Sequence, residues 1–227
     1  MLAWTLLFSI CLQFIQCKYT ASFPATCPWV TSVGATQNAE NDPEDHEVHT
    51  LQEYAANAPE QQGPFFAVTT AGGFSNYFNA PKYQFSQIKS YFSTPAGKHA
   101  PAGYNTTGRG FPDISSNGMN YQVFIDANPA LVCGTSGAAP SVSGMITTAN
   151  AARVKAGKSR LGFLNPLFYS KPSILNDITH GWNNCTALRK VCCPMGFTST
   201  SGWDPLVGLG SPSYVRLLKE SGGLDEQ

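Results

Sequence analysis

Ser136 stands in the run Val132-Cys133-Gly134-Thr135-Ser136-Gly137-Ala138-Ala139-Pro140, a serine in a turn of small residues ahead of a helix-forming segment. A serine hydroxyl becomes a nucleophile only where a base can take its proton and nearby donors can hold an oxyanion. A turn that opens a helix provides such donors, because the first N–H groups of a helix lack partners and its dipole is positive there. Gly134, Gly137, Ala138 and Ala139 leave room around Ser136 for a peptide backbone. The competing role for this serine is an N-cap, whose oxygen accepts a hydrogen bond from an N–H one turn on.

The other titratable groups offer no obvious base. The histidines are His46, His49, His99 and His180, and none stands in a His-Gly-Thr-His-like setting well before the serine. His46 and His49 fall in the acidic stretch 37–49 with Glu40, Asp42, Glu44, Asp45 and Glu47. That stretch contains a proline and shows no helical period, so it reads as a solvated loop. Asp177 and Asp204 read, on their own, as turn aspartates.

The elements that must position these groups follow from apolar periodicity. Residues 29–36 form a β-branched and aromatic run read as a buried strand. Residues 70–78 are a glycine turn leading into aromatics, and 84–92 suit a short helix with Phe85, Ile88, Lys89 and Phe92 on one face. Residues 110–113 read as a loop, 121–125 as a strand, and Leu131-Val132 as the start of another ending at the Gly-Thr-Ser turn. After Pro140, expected in a first helical turn, Val142, Met145, Ile146, Ala149 and Arg153 step at helical spacing until Gly157. Ser211-Pro212 is expected as the N-cap and first residue of a last helix burying Val215, Leu217 and Leu218. Alternating strands and helices indicate an α/β domain with a largely parallel sheet.

Composition sets the class. The 227 residues suffice for one domain with a full core. Charged residues make up 12% of the chain, about half the ~25% of typical soluble domains. Lysine plus arginine and aspartate plus glutamate balance at 14 each, with no basic stripe, so nucleic acid is not the expected partner. Residues 2–16 are apolar and uncharged, the length of a signal-peptide core and short for a membrane span; a buried strand or helix is the alternative. Cys185, Cys192 and Cys193 cluster without zinc-type spacing, which points to a local disulfide of open pairing. The sequons at Asn105 and Asn184 agree with export, so an extracellular protein is expected.

Four segments then carry a resemblance. Gly134-Thr135-Ser136-x-x-x-Pro140 is similar to the nucleophile motif of subtilisin-like proteases and of their relatives the sedolisins, or serine-carboxyl peptidases. The segment Phe23–Gln37 (FPATCPWVTSVGATQ) resembles a sedolisin block, as do Gly72–Phe78 (GGFSNYF) and Arg109–Ser115 (RGFPDIS), in the same order. The resemblance covers residues 20–218 and is closest to fungal secreted members and tripeptidyl peptidases. It implies a subtilisin-like α/β fold, an incomplete one here, and acid-active endopeptidase or tripeptidyl peptidase activity on peptide or protein substrates through Ser136.

The same resemblance implies one calcium ion. Asn176-Asp177-Ile178-Thr179 and Ser199–Pro205 (STSGWDP) look like the paired calcium-holding segments of sedolisins. Carried over, Asp177 and Asp204 give side-chain oxygens, and Ile178, Thr200 and Gly202 give backbone carbonyls. Glycine is usual at the position of Thr200, and serine at that of Cys133.

In sedolisins the base is a glutamate oriented by an aspartate four residues along, with a further aspartate donating to the oxyanion. A carboxylate base suits acidic pH, where histidine is protonated. All three lie upstream of the block matching Phe23–Gln37, and the 22 residues before Phe23 contain no aspartate or glutamate. The expected organisation is an apolar leader at 1–17, the C-terminal part of a sedolisin-like domain at 18–222 and a tail at 223–227. A truncated product is favoured, with the absent N-terminal half or prodomain as a candidate partner. The alternative is a secreted, non-catalytic, calcium-stabilised module that binds peptides or a protein.

Overall fold

The computed structural model describes residues 18–37, 54–55, 57–58, 68–184 and 193–222. The expected leader and tail, His46, His49 and the acidic residues around them, Cys185 and Cys192 lie outside the described residues.

The first strands are β1 (Val33–Gln37), β2 (Tyr54–Ala55), β3 (Asn57–Ala58), β4 (Val68–Thr69) and β5 (Gly73–Asn79). Helices α1 (Phe85–Ser93) and α2 (Pro95–His99) follow, then β6 (Gly108–Phe111), β7 (Ile114–Asn117), β8 (Tyr121–Ile125) and β9 (Asn128–Val132). The chain continues through α3 (Thr135–Lys155), α4 (Asn165–Ser170), β10 (Leu175–Asn176), β11 (Ser211–Pro212) and α5 (Tyr214–Glu220).

A sheet of order β2-β1-β7 lies under α3, and β1 and β7 run parallel with Val33 opposite Ile114 and Thr36 opposite Asn117. Ala35 and Ile114 are wholly buried, as expected for parallel strands covered by a helix. The fold is α/β as expected, but β1–β7 is the one parallel pairing among the described strands. Beside this sheet an aromatic cluster of Phe74, Tyr91, Phe168, Phe197 and Trp203 forms the main core.

Several local readings are corrected. Residues 110–111 belong to β6, which pairs with β5 from far along the chain, and Asp113 is fully buried. In α1 the buried face is Ile88 and Tyr91, while Phe85 is exposed. Ser211-Pro212 is strand β11 paired with β10; the last helix is capped instead by Ser213, whose Oγ accepts from Arg216 N. That helix buries Leu217 but leaves Val215 exposed. Pro140 sits inside α3, past its first turn.

A buried polar network ties these pieces together. Arg109 and Asp113 are both inaccessible to solvent and pair at 2.5 Å between Nη2 and Oδ2. Asp113 Oδ2 also accepts from Ser32 N at 2.7 Å, and Oδ1 from Gln84 Nε2 at 3.2 Å and the Tyr169 hydroxyl at 3.1 Å. Arg109 donates further to the carbonyls of Cys27, Val30 and Gly110. Burial raises the Asp113 carboxyl above the usual range, against the opposing pull of Arg109 and the donors around it. The network joins the start of β1, the β6–β7 connection and α4. Nothing in the local sequence pattern announces it.

Candidate active site

Gly134 is the residue before α3 and takes φ +141°, ψ 162°, a conformation open to glycine and strained for other residues. Ser136 is therefore the second residue of a 21-residue helix, and it is exposed. Its N–H belongs to the first turn, whose donors have no intrahelical acceptor. The Ser136 hydroxyl forms no hydrogen bond with any described residue, so it is not acting as an N-cap. Pro140, four residues on, lacks the N–H that would have donated to the Ser136 carbonyl. Among the described residues, Ser136 thus presents a hydroxyl without a hydrogen-bond partner at the positive end of a long helix.

The turn is held from below by residues that sequence reasoning missed. Gly134 N donates to Gly118 O at 2.6 Å, and Gly118 N donates to Thr36 O at 2.9 Å, which ties the turn to the end of β1. A Cβ on Gly118 would lie 2.6 Å from Ala35 Cβ and 3.2 Å from Gly134 O, so the close approach needs glycine. From the other side the Tyr121 ring packs on Gly137, where an added Cβ would meet it at 2.4 Å. The Tyr121 hydroxyl donates to Asn117 O and lies 3.0 Å from Ser141 Oγ, which itself donates to Gly137 O at 2.9 Å. Cys133 Sγ accepts from Asn120 N at 3.3 Å. No spacing rule picks out Gly118 or Tyr121, because each acts through a contact between distant segments.

Beside this turn, Thr135 lines a cavity of about 510 Å3 together with Ser32, Thr70, Phe111 and Met195.

A base is not brought to Ser136 among the described residues. His99 Nδ1 contacts the Pro95 carbonyl and His180 Nδ1 contacts Thr179 Oγ1, while Asp113 is consumed by Arg109. Glu220 pairs with Lys171 at the surface.

The two segments expected around calcium, 176–179 and 199–205, are joined by hydrogen bonds. Asp177 Oδ2 accepts from Gly202 N at 2.8 Å and Ser201 Oγ at 3.2 Å; the Ile178 carbonyl accepts from Ser199 Oγ at 2.7 Å. Asp204 is fully buried and folds back on the same turn, with Oδ2 accepting from Thr200 N and Ser199 Oγ and Oδ1 from Leu206 N and Val207 N. Burial pushes its carboxyl up to about 7, with those four donors opposing. Asp204 is thus a buried carboxylate with no cation beside it among the described residues, its two oxygens taken by four donors, while Asp177 is exposed. The described residues contain no group of three or more His, Cys, Asp or Glu side chains able to hold a metal, so such a site would depend on carbonyls. The turn is anchored by Trp203, whose Nε1 donates to the Pro112 carbonyl. Cys193, nearby in the chain, is disulfide-bonded.

The model of the subtilase family, described as Peptidase S8, matches residues 13–160, a span that includes the Gly-Thr-Ser turn and all of α3. This chain belongs to the subtilase family. Within that family the likeness is to the sedolisins. Tripeptidyl-peptidase SED1 of Arthroderma otae is 37% identical over 211 residues, covering 88% of this chain and 30% of that protein. Physarolisin of Physarum polycephalum is 36% identical over 208 residues, covering 86% of this chain and 36% of that protein. Pseudomonas sedolisin, a serine-carboxyl proteinase solved with two molecules of pseudo-iodotyrostatin, superposes with a TM-score of 0.65 at 25% identity. That superposition covers 91% of this subtilase chain and 50% of the sedolisin chain. The chain thus spans about a third of the length of the curated relatives it matches.

Proposed function

We propose that this chain carries the nucleophile of a secreted, acid-active serine peptidase of the sedolisin type, an endopeptidase or a tripeptidyl peptidase. The observation that carries this reading is Ser136, exposed with its hydroxyl uncommitted at the start of a 21-residue helix. In the reaction, Ser136 Oγ attacks a peptide carbonyl, and the Ser136 N–H and helix dipole stabilise the oxyanion. The amine leaves with a proton and an acyl-enzyme remains, which water then hydrolyses. The cavity beside Thr135 is placed to take a side chain of the bound peptide. No base stands beside Ser136 among the described residues; the resemblance implies a glutamate–aspartate pair in that role.

On this reading Asp177, Asp204 and the carbonyls of Ile178, Thr200 and Gly202 hold one calcium ion. The ion would offset the charge on the buried Asp204 and fasten the turn 199–204 to Asp177. Secretion fits the sequons; among the described residues no helix is long and apolar enough to cross a membrane.

A second reading has one observation in its favour, the lack of a base near Ser136 among the described residues: a non-catalytic, calcium-stabilised module that binds peptides or a partner protein. Peptide hydrolysis at pH 3–6 by the wild-type chain and by Ser136→Ala separates the two. Weak turnover that disappears with Ser136 supports the peptidase. Peptide binding without turnover in either protein supports the module.

A further inference from the structure

Asn105-Thr106-Thr107 is the sequon whose surroundings the structure describes in full. Asn105 Nδ2 donates one hydrogen bond, to the Ser75 carbonyl at 2.9 Å, leaving its second N–H pointing away from that bond. Asn105 Oδ1 accepts from Thr107 N at 3.1 Å and from Thr107 Oγ1 at 2.8 Å, so the threonine hydroxyl is already on the amide. The loop is further pinned by Gly108 N to Asn105 O and Ala80 N to Thr107 O. Thr106 and Thr107 are exposed.

The same two threonines line an open groove of about 800 Å3 with Asn79, Phe85, Ile88 and Phe92. Phe85 is 55% exposed there, on the outward face of α1. The groove has an apolar floor and a polar rim of Asn79 and the threonines, which suits the apolar face and hydroxyl edge of a sugar ring. The other sequon is less accommodating: the Asn184 carbonyl accepts from Cys193 N, and its Cβ lies 2.7 Å from where a Cβ on Gly196 would be.

We propose that Asn105 is an N-glycosylation site and that its glycan covers the Phe85–Phe92 groove, which Thr106 and Thr107 line next to it. This inference rests on the reading of the chain as secreted, not on its peptidase activity. In the transfer, Asn105 Nδ2 forms a bond to the anomeric carbon of an oligosaccharide carried on a polyprenyl diphosphate. The bond from that carbon to the diphosphate breaks, the lipid diphosphate leaves with the electron pair, and one amide proton is released. Nothing is oxidised or reduced. The remaining Nδ2–H keeps the bond to Ser75.

The test uses the full chain routed into the endoplasmic reticulum of a yeast host by a secretion leader, so that occupancy is read independently of native targeting. Peptide mass spectrometry after glycosidase treatment reads the site directly. Asn105 is expected to be occupied in wild type and in Thr107→Ser, and unoccupied in Thr107→Ala. Recovery of the wild-type Asn105 peptide wholly unmodified overturns the proposal. For the groove, trimming the glycan to its first sugar is expected to leave the melting temperature unchanged. The wild-type chain made without glycan in a bacterial periplasm is expected to melt about 2 °C or more below trimmed wild type. Equal melting of the trimmed and the glycan-free wild type would show a glycan that does not touch the groove.

Discussion

Asp113→Asn probes the one buried charge pair among the described residues and should be severely destabilising. The substitution keeps the shape of the side chain but replaces one oxygen by an amide nitrogen. Whichever way the amide turns, its N–H2 faces a donor: Arg109 Nη2 and Ser32 N on one side, Gln84 Nε2 and the Tyr169 hydroxyl on the other. Arg109 stays charged with no solvent access and no anion beside it. Removing one partner of a buried pair costs about 3–5 kcal/mol. For a chain of this length each kcal/mol moves the melting temperature by about 2–4 °C, so a drop of about 6–20 °C is expected. Thermal unfolding followed by circular dichroism measures it, with Arg109→Met and the double variant closing a cycle. The double variant should lose less than the sum of the singles by about 2 kcal/mol or more, since it strands no charge. A loss under about 1 kcal/mol for Asp113→Asn, with additive effects in the cycle, would refute the burial argument.

Gly118→Ala pushes a methyl against Ala35 and the Gly134 carbonyl, both packed backbone-side groups with no room to yield. It should cost about 1–3 kcal/mol by urea unfolding and reduce Ser136-dependent turnover with it. In chelator-treated protein the Asp204 carboxyl, raised to about 7 by burial, sets a pH dependence. An unfolded aspartate ionises near ~4, so the unfolded state releases its proton first as pH rises. The chelated protein should be most stable at low pH and lose melting temperature as pH rises through about 7, and added calcium should restore it there. Indifference to both chelator and calcium would argue against the Asp177–Asp204 site.

Much of the fold was legible wherever burial follows a local period. The helix at 85–93 and the long helix to Lys155 lie where apolar spacing puts them, and the strand read at 29–36 is found at 33–37. The hairpin strand expected to start at Leu131 begins at Asn128, and the hairpin is largely exposed. Gly157, with φ +72°, does end that helix. Segments whose structure depends on distant partners were not legible. Residues 110–113 look like a loop because they hold glycine, proline and aspartate, yet Gly110 pairs with Phe74 and Asp113 meets Arg109, Gln84 and Tyr169. Ser211-Pro212 has the chemistry of a helix start, but pairing with Leu175-Asn176 makes it a strand and passes the cap to Ser213. At the site, Ser136 was found from its motif. The supports of its turn, Gly118 and the Tyr121–Ser141 pair, have no local signature, since their role is a contact across the sheet end.

Hydrolysis of unstructured peptides between pH 3 and 6, by wild type and by Ser136→Ala, tests the central claim most directly. With no base beside Ser136 among the described residues, slow turnover is expected, since oxyanion and binding contributions leave residual catalysis of about 10³–10⁴ over water in related systems. The expected result is slow cleavage by the wild-type chain that falls to background in Ser136→Ala. Equal cleavage by the two proteins would contradict the assignment of Ser136 as the nucleophile.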